Sequence, residues 1–92
     1  MLGTHRVPGI SRFFGIVIRM YFLDHDPPHF HATYGEAEAL VRITPRSVIR
    51  GSLPPRALAL VMEWASIRQE ALLANWHRLR HDQLPDRIAP LE

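Results

Sequence analysis

The chain predicts an α+β fold: a three- to four-stranded antiparallel β-meander with one long C-terminal helix packed on it. Three observations carry that prediction. The first half alternates aromatic or β-branched runs with Pro, Gly and Asp turn signals at short intervals. The stretch from Arg56 to about Arg80 contains no Pro or Gly and is dominated by Ala, Leu, Glu, Arg and Gln. Finally, 92 residues with 47% hydrophobic content are enough for one modest core. Residues 8–83 form that single domain, with 1–7 and 84–92 as partly irregular terminal extensions.

Phe13 to Phe22 reads as the first strand, with Ile16, Ile18, Met20 and Phe22 on one face and Val17, Arg19 and Tyr21 on the other. Asp24 to Pro28 is a turn, because the Pro-Pro pair cannot donate to a ladder. His29 to Tyr34 is the second strand, Gly35-Glu36 a tight hairpin loop, and Ala37 to Ile43 the third strand. Thr44-Pro45-Arg46 interrupts the run before a short fourth strand, Ser47 to Arg50.

Gly51 to Pro55 stops the sheet and starts the helix, with Ser52 as N-cap and Pro54 or Pro55 in the first turn. Leu58, Val61, Met62, Ala65, Leu72, Trp76 and Leu79 make an apolar stripe, widened by Leu60, Trp64 and Ile67. Glu63, Ser66, Glu70 and His77 fall opposite. The tail from Leu84 to Glu92 is irregular, and Ile88 and Leu91 dock it.

The chain has no cysteine, which removes disulfides and thiolate zinc sites. The N-terminal residues lack the apolar stretch of a signal peptide, and the longest apolar run, Phe13 to Ile18, is too short to cross a bilayer. The expectation is a cytoplasmic protein without membrane contact. All eleven basic residues are arginine, yet the net charge is only +2, so composition permits nucleic acid without demanding it.

Three of the six histidines and two of the nine acidic residues fall within Asp24-His25-Asp26-Pro27-Pro28-His29-Phe30-His31. On a strand, His29 and His31 project from one face and Phe30 from the other. Two such imidazoles can share a divalent metal such as zinc or manganese, with His25, Asp24 or Asp26 swinging in from the turn. The same pair can supply acid and base to a metal-free RNA-cleaving site. Ordinary surface histidines bonded to backbone groups are the third reading.

A two-residue Gly35-Glu36 loop sets Thr33 opposite Glu38, His31 opposite Leu40 and His29 opposite Arg42. Arg42 and Glu38 then share the histidine face, and Arg19 and Tyr21 join it from the neighbouring strand. That face suits an anion, including a phosphodiester, and equally suits plain solvation. On the helix, Arg68 and Asn75 fall inside the apolar arc. Arg68 either reaches past it to solvent or meets a carboxylate or bound anion beneath.

The segments Ser11-Arg12-Phe13-Phe14-Gly15, Asp24 to Ala32, Gly51-x-Leu53-Pro54, and Glu63-Trp64-Ala65 through Asn75-Trp76 together resemble domain-of-unknown-function family 4160. These are small bacterial proteins with a Pro-His-Phe-His signature, carried here by Pro28, His29, Phe30 and His31. The resemblance runs from about Pro8 to Trp76. It implies a neighbouring partner of domain-of-unknown-function family 2442 type, and with it a toxin–antitoxin-like pair. The resemblance also implies a histidine in many relatives where this chain has Arg68, a departure that lowers the expectation of a metal and slightly favours anion or RNA chemistry.

The leading expectation is therefore a toxin–antitoxin-like component that binds RNA. In its ribonuclease form His29 and His31 are catalytic, while Arg19, Arg42, Arg68, Asn75 and Glu38 contact ligand or phosphate. The alternatives are a metal-binding domain using Asp24, His25, His29 and His31, and a non-enzymatic docking module.

Overall fold

The computed structural model describes residues 9–92, so the expectation of an extension at residues 1–7 lies outside the described residues. Five strands form one antiparallel sheet in chain order: β1 (Ser11–Phe13), β2 (Ile16–Arg19), β3 (His29–Tyr34), β4 (Ala37–Arg42) and β5 (Ser47–Gly51). Two helices follow, α1 (Pro55–Ile67) and α2 (Gln69–Arg80). The α+β class stands, while the expected three or four strands become five and the expected single helix becomes two.

The extra strand comes from splitting the run read as Phe13 to Phe22. Phe14 and Gly15 both take positive φ, 51° and 82°, and reverse the chain in two residues so that Phe13 pairs with Ile16. Phe14 is left exposed at the turn. The ladder with β3 ends at Arg19, opposite His31. Along β2 and beyond it, Ile16, Ile18 and Met20 still face the core as their alternation requires.

The β3–β4 hairpin has the register expected from a two-residue loop, with Thr33 opposite Glu38, His31 opposite Leu40 and His29 opposite Arg42. A bulge between Leu40 and Val41 then shifts the β4–β5 ladder. Gly51 closes β5 at φ +75°, and a β-carbon there would run into the Glu38 carbonyl oxygen. Gly51→Ala combines left-handed strain with a backbone clash and should cost about 2–3 kcal/mol in urea denaturation. Val48 and Ile49 are exposed on β5, the outer strand of the sheet.

Ser52 does not cap the helix. Its N–H donates to the Glu38 carbonyl at 3.0 Å, while Pro54 takes the N-cap position and Pro55 the first helical one. Trp64 of α1 is fully buried, its ring 5.3 Å from Phe13 and 5.7 Å from Phe30 between centroids. The layer between sheet and helices also holds Ile18, Met20, Val41, Val61 and Leu72. Ile67, placed on the apolar stripe by its spacing, is exposed.

The helix breaks at Arg68, where φ −108° and ψ 22° depart from helical values. Backbone bonds on either side survive, from the Arg68 N–H to Trp64 at 3.0 Å and from the Leu72 N–H to Arg68 at 2.9 Å. No Pro or Gly marks the place. Beyond the break, Trp76 of α2 reaches His29, with ring centroids 5.3 Å apart.

The residues after α2 carry no regular structure yet are stitched down. The Trp64 indole donates to the Ala89 carbonyl at 2.8 Å. The buried Asn75 amide donates to the Asp86 carbonyl and accepts from the Asp86 N–H, both at 2.8 Å. The Ile88 N–H donates to Ile10, just before β1, at 2.8 Å, and Ile88 itself is buried. Among the described residues no helix is long and apolar enough to cross a membrane.

Candidate functional site

Strand alternation puts Phe30 and Ala32 against the core and turns His29, His31 and Thr33 to the other sheet face. The cross-strand register then builds two rows there. One runs Arg19, His31, Leu40, Arg50 across β2 to β5, and the other runs His29, Arg42, Ser47 across β3 to β5. The Asp24–Pro28 turn folds over the start of β3 and brings Asp24 onto both imidazoles. It is anchored from α2 by Arg80, whose Nη1 donates to Asp26 Oδ1 at 3.0 Å.

One carboxylate oxygen, Asp24 Oδ2, lies 3.0 Å from His31 Nε2 and 3.4 Å from His29 Nε2. Ligand atoms of Asp24, His29 and His31 all fall within 4.8 Å of one another. The other ring nitrogens are also engaged. His29 Nδ1 lies 2.9 Å from the Pro27 carbonyl, and His31 Nδ1 lies 3.1 Å from Glu38 Oε2. The Tyr21 ring meets His31 edge-on at 4.7 Å between centroids, and Trp76 backs His29. His29 is buried and His31 half-buried.

The donor count at this cluster is informative. A carbonyl oxygen and an ionised carboxylate can only accept, so each Nδ1 must carry the proton. A neutral ring then presents a bare lone pair at Nε2, facing Asp24 Oδ2, another lone-pair atom. The contact is favourable with a second proton on a ring, a proton on the carboxylate, or a cation between the atoms. Two imidazolium rings with centroids 5.3 Å apart would repel each other.

Of the residues singled out from the sequence, Asp24, His29, His31 and Glu38 come together in direct contact. Arg19 and Arg42 flank them in the cross-strand rows. Arg42 is partly committed, donating to the Pro45 carbonyl at 3.3 Å and Ser47 Oγ at 3.2 Å. His25 is exposed and outside the cluster. Asn75 is not at the site, because its amide braces the tail and accepts from Arg78. Arg68 sits at the helix break with its Nε buried and without a hydrogen-bond partner, and it bonds to neither histidine.

Two participants escaped the sequence reading. Trp76 is in the core, as its place on the apolar stripe implies, but its spacing does not announce that it also meets His29. Arg50 was not legible either, since the register of Arg42 with Ser47 and Val41 with Val48 leads Leu40 to Ile49, and only the bulge brings Arg50 there.

Comparisons with curated proteins and with solved structures give no match. The family described as a domain of unknown function, DUF4160, matches residues 15–77, a span that holds the histidine cluster and both helices up to His77. With more than half of its length inside that match, the chain belongs to the DUF4160 family.

Proposed function

We propose that the chain is a metal-dependent protein whose working centre is one divalent ion held by His29 Nε2, His31 Nε2 and the Asp24 carboxylate. The observation that carries this reading is the pair of imidazoles with acceptors on both sides. Each Nδ1 is tied to an acceptor, and each Nε2 points at the same carboxylate oxygen. An ion placed between them resolves the clash of lone pairs and neutralises the charge.

The dimensions agree. Zinc–nitrogen bonds of about 2.0–2.1 Å in a tetrahedral site separate neighbouring ligand atoms by about 3.3 Å. The observed 3.0 and 3.4 Å bracket that value. The outer contacts fit as well, since metal-bound histidines characteristically donate their second N–H to a carbonyl or carboxylate. Here Pro27 and Glu38 supply those acceptors.

Two imidazoles and a carboxylate suit zinc, manganese or ferrous iron, and three protein ligands leave a position open for water or substrate. In that position the ion would act as a Lewis acid and lower the pKa of bound water. Metal-free acid–base catalysis by His29 and His31 is less well supported. It needs a ring nitrogen turned to substrate, and both nitrogens of His31 are held by carboxylates.

Metal-stripped protein titrated with Zn2+ or Mn2+ and assayed by elemental analysis should take up one equivalent. Asp24→Ala should abolish stoichiometric uptake. Glu38→Ala, which leaves the three ligands in place, should weaken affinity about 10- to 100-fold through the freed His31 ring. Full uptake by Asp24→Ala would remove this reading.

A further inference from the structure

We infer that the centre takes a phosphoryl group, held between the metal ion and Arg50 in the cleft beside the Asp24–Pro27 turn. The inference rests on the reading of Asp24, His29 and His31 as metal ligands and names what fills their open side. The cleft has a volume of about 310 Å³, and its walls include Asp24, Asp26, His29, Leu40, Ile49 and Arg50. That volume lies at the small end of ligand sites, which run from about 300 to 1,000 Å³. It suits a phosphate with a small ester substituent, and Leu40 and Ile49 offer that substituent apolar contact.

Arg50 is the informative residue. It is exposed, stands opposite Leu40 in the row that contains His31, and makes no ion pair among the described residues. Of the two arginines that flank the cluster, Arg42 has already spent Nε and Nη2 on Pro45 and Ser47, and Arg19 does not line the cleft. A planar guanidinium with no hydrogen bond or ion pair among the described residues, lining the same small cleft as Asp24 and His29, matches two oxygens of a tetrahedral anion.

Charge favours a dianion over a carboxylate. Arg19, Arg42 and Arg50 against Asp24 and Glu38 leave one positive charge on this face, and a divalent ion raises it to three. Asp26 is matched by Arg80 and does not change the balance. A phosphate group can give one oxygen to the ion and others to Arg50 at once.

The test uses the full chain loaded with Mn2+ and follows paramagnetic broadening of the phosphorus NMR line of inorganic phosphate and phenyl phosphate. Native protein should broaden both lines saturably. Arg50→Ala should keep one equivalent of Mn2+ and its thermal midpoint while losing about 10- to 100-fold in phosphate affinity. Equal phosphate affinity in the two proteins, or acetate competing as strongly as phosphate, overturns the inference and leaves the metal reading standing. Failure to bind Mn2+ removes the metal reading and the inference with it. A short single-stranded oligoribonucleotide serves as competitor: displacement of phosphate identifies an RNA phosphodiester as the source of the group, and no displacement identifies a small phosphate ester.

Discussion

Replacing His29 and His31 together by alanine is expected to weaken divalent-metal affinity on the order of 10,000-fold. The magnitude follows from structural zinc sites, where about 10–16 kcal/mol is shared among four ligands, so two ligands account for several kcal/mol. Native protein should gain thermal midpoint as Zn2+ is added, because the ion binds the folded chain, and the double variant should not. The metal-free variant will itself lose about 1–2 kcal/mol, since the buried His29 ring packs on Trp76. Metal content is therefore compared at equal folded fraction. His25→Ala is the internal control, since that side chain is exposed and outside the cluster, and its affinity should stay within about twofold of native. Acidification should weaken binding by the native chain, because protons compete with the ion for the same Nε2 atoms. Unchanged metal uptake by the double variant would place the ion elsewhere.

The second large effect concerns the fold. Trp64→Ala removes a fully buried indole that lies on both Phe13 and Phe30, and it orphans the Ala89 carbonyl that accepts from the ring N–H. The cavity alone costs about 3–5 kcal/mol, and the lost hydrogen bond about 1 kcal/mol more. A domain of this size has a total stability of about 5–15 kcal/mol, so much of it goes with one side chain. The thermal midpoint followed by circular dichroism should fall by about 15 °C or more. Trp64→Phe keeps most of the packing and loses the donor, so it should cost only about 1–2 kcal/mol. Near-native stability of the alanine variant would mean that the helix is not seated on the sheet through Trp64.

What was legible in the sequence divides along physical lines. The β3–β4 register follows from a two-residue loop and the period of two, both local, so the pairing of His29 with Arg42 and Thr33 with Glu38 could be read in advance. The first hairpin could not. Its strand is three residues long, and its turn hides in an apolar run where Phe14 adopts a φ of 51°, a role usually left to Asn, Asp or Gly. The break at Arg68 has no local signal, since neither Pro nor Gly stands there and backbone bonds continue on both sides.

The site divides in the same way. That His29 and His31 share a face is a matter of strand geometry. That Asp24 joins them and His25 does not depends on how the turn folds back. Trp76 and Arg50 arrive through long-range packing and a bulged register, at 47 and 21 residues from His29 in the sequence.

The two margins of the sheet are unlike, and the difference bears on whether this chain polymerises. At one margin β1 is three residues long and the tail is bonded to the residue before it, which leaves little backbone for a newcomer to pair with. At the other, β5 offers five residues with Val48 and Ile49 exposed. Among the described residues strand addition is therefore better served at β5, and two copies joined through β5 would present their β1 margins outward. Even that pair is discouraged, because Arg46 and Arg50 bracket the open strand and an identical strand meets them with like charge. A fibre would need a second good edge, and among the described residues the three-residue β1 is a poor one.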